Sequence, residues 1–204
     1  WVRMQSHKDI FAEVLSVLTH TINNSKNENS NVDVKIIFNE IIEFKDVNFS
    51  YGIKKPIVLK NINQSIRKGD KVGLIGPTGS GKSTFLDLIL GLHNPSHGTI
   101  SIDQTDLTRA NIKNWQTKIA HVPQSIYLSD ITILENIAFG TEIKDINLYK
   151  IDQIIKIVKL NKFINELPNG LMTKIGEKGS QLSGGERQRI GIARALYKSF
   201  DLLV

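Results

Sequence analysis

The residues Gly76-Pro77-Thr78-Gly79-Ser80-Gly81-Lys82-Ser83-Thr84 constrain this chain more than any other stretch. They read G-x-x-x-x-G-K-[ST], a loop in which glycine backbone wraps an anion with its N–H groups at the start of a helix. The surroundings fit that reading. Lys71-Val72-Gly73-Leu74-Ile75 is a short apolar run of strand character, and Phe85 to Leu90 is an apolar run of helical length ending at Gly91. The helix N-terminus favours negative charge, and the glycines admit the close approach of a polyphosphate. In such a loop Lys82 reaches the β and γ phosphates and the Ser83 hydroxyl ligates Mg²⁺. A glycine turn before a helix, with a solvated lysine, is the plainer alternative, but four fixed positions at this spacing seldom arise from ordinary residue frequencies.

The rest of the composition is compatible with one sizeable domain carrying subdomains: 204 residues, 40% of them apolar. The 26 Lys and Arg exceed the 20 Asp and Glu, for a net charge of +6, yet the lysines are scattered among Ile and Asn. That pattern describes a solvated surface rather than a nucleic-acid stripe. There is no cysteine, hence no disulfide framework and no thiolate metal site. No apolar run approaches the ~18 residues of a membrane span, and no signal peptide is visible. Near the start, Phe11, Val14, Leu15, Leu18 and Ile22 recur at helical spacing and precede the polar stretch Asn23 to Asp33. We expect an amphipathic helix and a linker, residues 1–33, trailing from an upstream domain, with the main domain over 34–204. The chain opens on Trp1 and stops inside the apolar run Leu202-Leu203-Val204, which reads as a piece of something longer.

Taken in order, Ile41 to Tyr51, Ile57 to Leu59 and Ile62 to Ile66 are rich in β-branched and aromatic residues and predict antiparallel strands. Tyr51, at a strand end before Gly52, offers an aromatic face on which a nucleotide base could stack. Gly98 to Ile102 and Ile119 to Val122 predict two further strands, the second ending at Pro123. Gln124 follows at once. A neutral amide there can ligate Mg²⁺ through its oxygen and hold a water through its NH₂, although an isolated glutamine would be unremarkable. His121 reads as a strand residue, since no second His stands at metal spacing.

Ile133 to Phe139 and Leu148 to Leu160 predict amphipathic helices, the second with Leu148, Ile151, Ile155 and Val158 on one face. Together they form a helical insertion. After the polar glycine loop Gly176 to Gln181 comes Leu182-Ser183-Gly184-Gly185-Glu186-Arg187-Gln188-Arg189, leading into Ile190 to Leu196. Ser183 and Glu186 are spaced as a capping box. Gly184 and Gly185 exceed what a cap needs. They expose helix N-terminal N–H groups to which a phosphate could come close, with the Ser183 hydroxyl as a further donor.

In this order the elements resemble the nucleotide-binding domain of exporter-type ATP-binding cassette (ABC) transporters. The matches are the aromatic loop at Tyr51, GPTGSGKST from Gly76, VPQ at Gln124, ENI over Glu135 to Ile137, GEKGSQ from Gly176 and LSGGERQR from Leu182, spanning about Glu40 to Val204. The resemblance implies an α/β fold, a P-loop NTPase with a RecA-like core, an N-terminal antiparallel β subdomain and a helical signature subdomain. The fold would be incomplete. In the family the Walker B strand, which Leu202 begins, finishes with an aspartate for Mg²⁺ and a glutamate that polarises water, and a switch histidine follows. None of these is among the 204 residues, so the resemblance implies an ATPase in the intact protein and nucleotide binding without turnover in this stretch alone.

The same resemblance implies ATP and Mg²⁺ as ligands, with Lys82 and Gln124 in catalysis and Ser83 and Gln124 on the metal. Tyr51, the loop Gly76 to Thr84 and Gln124 would bind one nucleotide. Ser183, Gly184, Gly185 and Glu186 would close on the nucleotide of a second ABC domain in a head-to-tail dimer. A transmembrane domain on the same polypeptide would place the chain at the cytoplasmic face of the cell (inner) membrane, exporting a lipid or lipid-linked saccharide, to which the segments Asn114 to Gln116 and His121 to Gly140 are similar in style. The alternative is a soluble ABC-type ATPase acting on nucleic acid or ribosomes. Chromosome-associated forms separate the two motifs by hundreds of coiled-coil residues, whereas Gly81 and Leu182 are about a hundred apart. No nucleic-acid partner is expected.

Overall fold

A computed structural model describes residues 35–204. The helix and linker expected over 1–33 lie outside the described residues. Those described divide into two compact units, one running up to Val72 and adding Asn94–Asn114, the other made of Gly73–His93 and Trp115–Val204.

The first unit is an antiparallel sheet of β1 (Ile41–Phe49), β2 (Leu59–Arg67), β3 (His97–Ile102) and β4 (Thr105–Asp106), in the order β2-β1-β3-β4. Its core side carries Ile42, Phe44, Val47 and Phe49 of the central strand β1, and Ile42 faces Ile66 on one neighbour and Ile102 on the other. The buried set steps from 44 to 47, one residue more than the two-residue period of a strand allows. A bulge absorbs the extra residue: the register shifts there on both sides of β1, and Asp46 adopts φ 51°. Gly98 stands against the bulge. A Cβ on it would lie 2.4 Å from the carbonyl oxygens of Lys45 and Asp46, and its φ is 81°. Of the segments expected at 57–59 and 62–66, Leu59 and all of the second fall in one continuous strand, β2, in which Asn61 takes φ 50°, and Ile57 and Val58 lie outside it.

β3 and β4 are joined by Asp103 and Gln104, both at positive φ (44° and 69°), as a two-residue hairpin turn of this twist demands. The Asp103 carboxylate also accepts hydrogen bonds from the N–H groups of Asn39, Glu40 (3.0 Å) and Ile41 (2.7 Å). Desolvation pushes its pKa up, but the three N–H donors and the Lys68 ammonium outweigh it and hold the carboxyl below its ordinary value. A lowered folded pKa means that the stabilisation is present above the unfolded pKa and lost as pH falls through the folded one. Asp103→Asn is therefore expected to cost less than about 1 kcal/mol at neutral pH, because solvent screens this exposed carboxylate. The difference between the two melting curves should close in acid, and a gap that persists there would show that the charge is not what holds the turn.

The second unit contains α1 (Lys82–Ile89), the end of α2 (Ile112–Thr117), α3 (Ile133–Ile137), α4 (Leu148–Ile157), α5 (Asn161–Glu166) and α6 (Gly184–Tyr197). It also holds a parallel pair, β5 (Ile119–Ala120) and β6 (Leu202–Leu203), which Val204 extends by donating to the Ala120 carbonyl at 2.9 Å. One apolar cluster unites the helices: Ile133, Leu134 and Ile137 of α3, Ile151, Ile154 and Ile155 of α4, Ile164 of α5, and Ile190 and Ala193 of α6. The carbonyls at the end of α1 are met by side chains, Trp115 Nε1 donating to Ile89 O at 2.7 Å and Gln116 Nε2 to Leu90 O at 3.3 Å.

Two expectations in this unit are corrected. Lys71 to Ile75 forms no strand, and Val72, Leu74 and Ile75 are exposed. A strand exists only where a neighbour takes up its N–H and C=O groups, and no described residue pairs with this segment. Leu148 is 62% exposed, although periodicity places it on the face of Ile155. Helical side chains lean toward the N-terminus, so the first residue of α4 points past the end of its own helix.

Candidate nucleotide-binding site

The loop Gly76 to Gly81 turns on Gly79 (φ 81°) and Gly81 (φ 88°), and Gly81 is the N-cap of α1. A glycine N-cap has no side chain to satisfy the first N–H groups of the helix, and no carboxylate stands in the first turn. Those donors and the positive end of the helix dipole thus await an external anion. Lys82 Nζ donates to the carbonyls of Gly76 (2.9 Å) and Pro77 (2.7 Å) and lies 3.4 Å from Ser80 Oγ. Among the described residues its ammonium meets only these neutral oxygens, so its charge lies in the mouth of the loop unneutralised. The loop fits a polyphosphate on this donor set. Ser83 is exposed beside it. Among the described residues no three of His, Cys, Asp or Glu gather to hold a metal. Ser83 Oγ and the Gln124 amide are neutral oxygens of a type that suits a hard cation such as Mg²⁺.

At the second motif the structure builds the capping box in full. Ser183 is the N-cap of α6 (φ −65°, ψ 161°), its Oγ accepts from Glu186 N at 3.3 Å, and Glu186 Oε2 accepts from Ser183 N at 2.8 Å. Glu186 thereby fixes Ser183, whose hydroxyl accepts in the cap and keeps its O–H as a donor. The glycines have no internal reason to be glycine. A Cβ on Gly184 would meet nothing within 4 Å, and one on Gly185 only the Arg189 guanidinium at 3.6 Å. Both are exposed, and among the described residues nothing crowds a side chain there.

Gln124 is exposed, and its side chain makes no hydrogen bond among the described residues. The residues after it are tied down. Leu128 is fully buried, and the Tyr127 carbonyl accepts from Arg194 Nη1 at 2.8 Å. No hydrogen bond among the described residues links Gln124, the Lys82 cluster and the Ser183 cap to one another. Tyr51, in the other unit, follows β1 directly. Its ring stands edge-on to buried Phe49, with centroids 4.9 Å apart and planes at 83°, and is 47% exposed. Ser50 Oγ, 2.8 Å from Gly52 O and 2.9 Å from Lys55 O, braces that turn.

Two site-supporting features went unread in the sequence. Thr132-Ile133-Leu134-Glu135 is a second capping box, at α3, in which the Thr132 hydroxyl and N–H hold the Glu135 carboxyl below its ordinary pKa; the T-x-x-E spacing was the available signal. Asn136, fully buried, and Arg194 form a polar node that no spacing announces.

Comparison with known proteins places these motifs. The family described as ABC transporter matches residues 59–204. The chain is 43% identical to the ATP-dependent lipid A-core flippase of Saccharophagus degradans, over 80% of this chain and 27% of that protein. It is 42% identical to the mitochondrial iron-sulfur clusters transporter ATM1 of Candida albicans, over 77% of this chain and 20% of that one. A solved bacterial Atm1-family ABC exporter with ATP bound superposes with a TM-score of 0.76 at 33% identity, covering 83% of this chain and 30% of the exporter. The chain thus spans less than a third of each of these proteins.

Proposed function

The chain belongs to the ABC transporter family, and we propose that it is the ATP-binding and ATP-hydrolysing domain of a membrane exporter. The observation that carries the reading is the start of α1, a left-handed glycine N-cap with no acidic residue in the first turn and a lysine charge that no carboxylate among the described residues meets. In this reading the loop N–H groups and Lys82 hold the β and γ phosphates. When bound, Mg²⁺ supplies charge neutralisation at the transferred phosphoryl group. Ser83 and Gln124 hold that ion, and the Gln124 NH₂ orients the attacking water. Ser183 and the N–H groups at Gly184 and Gly185 take the γ-phosphate of a second cassette, head to tail, so that the two surfaces are joined only while the phosphate is intact.

The wider assignments rest on the relatives' character as exporters. Residues 34–204 are the cassette, and 1–33 lead from a membrane domain on the same polypeptide, with the cassette at the cytoplasmic face. A lipid or lipid-linked saccharide is the proposed cargo, in accord with the name of one relative. The iron-sulfur clusters of the other indicate that the cargo is chosen outside the cassette. No helix among the described residues is long and apolar enough to cross a membrane.

A thermal melt of the full-length protein tests the reading. A ligand that binds only the native state adds RT ln(1 + [L]/Kd), roughly 2.7 kcal/mol at a hundredfold excess over Kd. Mg·ATP should raise the melting temperature, and Lys82→Ala should abolish the rise; an equal rise in both would overturn the assignment. We further assign base stacking to Tyr51. Tyr51→Ala should weaken ATP binding by roughly 1–3 kcal/mol and Tyr51→Trp should not, while equal losses would assign the ring to packing against Phe49.

A further inference from the structure

Between Gln124 and α3 the chain runs without regular secondary structure, yet four consecutive residues of it are gripped. Ile126 packs where α6 has a glycine: a Cβ on Gly191 would lie 2.4 Å from Ile126 Cδ1 and 2.9 Å from both its Cγ atoms. The Tyr127 carbonyl accepts from Arg194 Nη1 at 2.8 Å. Leu128 is fully buried in the helical cluster. Ser129 is bracketed by one amide, its N–H donating to Asn136 Oδ1 (3.1 Å) and its carbonyl accepting from Asn136 Nδ2 (3.0 Å).

Arg194 closes the set, with Nε donating to Asn136 O at 2.8 Å and Nη2 to Asn136 Oδ1 at 3.0 Å. Gly191 and Arg194 are three residues apart, neighbours on one face of α6. The planar guanidinium fork meets three acceptors at fixed angles, which an ammonium cannot reproduce. All three acceptors are neutral, so the fork works through geometry rather than through an ion pair. Two residues of backbone span at most about 7 Å, so whatever holds Ile126 also confines Gln124.

We propose that Arg194, Asn136 and Gly191 are positioning residues, which bind segment 126–129 to α6, the helix that Ser183 caps, and so tether Gln124 within about 7 Å of Ile126. This rests on the reading of Gln124 as the ligand of the nucleotide's Mg²⁺.

The test uses the full-length protein and reads kcat, nucleotide affinity, the Mg²⁺ concentration for half-maximal activity, and the melt. Arg194→Lys keeps the charge and loses the fork. At a temperature well below its melt, kcat should fall at least tenfold and the Mg²⁺ requirement rise several-fold, with nucleotide affinity within twofold of the parent. Gly191→Ala should act in the same direction, and adding Ile126→Ala, which removes the clashing atoms, should return kcat to within threefold. If Arg194→Lys fails to fold, the Gly191→Ala and Ile126→Ala pair decides alone. Parental kcat and Mg²⁺ dependence in the single variants would overturn the proposal. So would losses in which affinity and kcat fall together with the folded fraction. Gln124→Ala separates the two levels. If it leaves the Mg²⁺ dependence unchanged, the underlying reading fails; if it shifts that dependence and the clamp variants do not, only the clamp fails.

Discussion

Gly98→Ala is expected to destabilise the protein by more than about 3 kcal/mol, from the addition of one methyl group. Two costs coincide. The φ of 81° lies in the left-handed region, where a Cβ costs roughly 1–2 kcal/mol by itself. The new Cβ would also stand 2.4 Å from two carbonyl oxygens, those of Lys45 and Asp46, and backbone cannot yield as a long side chain can. Relief requires the bulge to move, and the bulge is what lets Phe44 and Val47 face the same core. Gly69→Ala is the control. Its φ is 91°, but a Cβ there meets nothing within 4 Å, so only the first cost of about 1–2 kcal/mol applies. Chemical denaturation followed by circular dichroism measures both variants, and equal losses would show that the contact with the bulge is not tight.

This pair also shows where sequence reading reaches its limit. Both glycines look alike in the sequence, and the difference between them is the long-range register of β1 on β3. The elements that could be read were those whose signal is local: the strands β1 and β3, the helix after the phosphate loop, and the cap of α6 with Ser183 and Glu186 three residues apart. Lys71 to Ile75 carries strand-like residues, but a strand is a property of two segments, and none of the described segments lies beside it. Asn136 and Arg194 are 58 residues apart. Only packing α3 on α6 makes a buried amide and a guanidinium into one node, and neither residue type predicts the other. The site divides in the same way. The two glycine motifs were legible because their spacing is local, while the residues that hold Ile126 to Ser129 act across folded distances.

Ser183→Arg is expected to lower ATP hydrolysis by the full-length protein by at least about a hundredfold, because it obstructs the phosphate's seat in addition to removing a donor to it. The exposed surface at Gly184, where a Cβ would meet nothing within 4 Å, is read here as the seat of another cassette's γ-phosphate. An arginine at the N-cap would fill that seat and keep the two cassettes apart. It would also remove the Ser183 hydroxyl from Glu186 N, an uncapping that costs about 1 kcal/mol. Ser183→Ala separates the loss of the hydroxyl, both as cap and as donor to the phosphate, from obstruction, because it leaves the seat empty. The order of activity should therefore be parent, Ser183→Ala, then Ser183→Arg, with the last well separated. Binding at the variant's own phosphate loop should be unchanged, since Lys82 and the Gly81 cap share no hydrogen bond with Ser183 among the described residues. If Ser183→Ala loses as much hydrolysis as Ser183→Arg, the hydroxyl carries the effect and obstruction of the seat adds nothing. If Ser183→Arg also loses nucleotide affinity at its own loop, the phosphate loop and signature serve one and the same nucleotide within a single chain, and the head-to-tail arrangement is wrong.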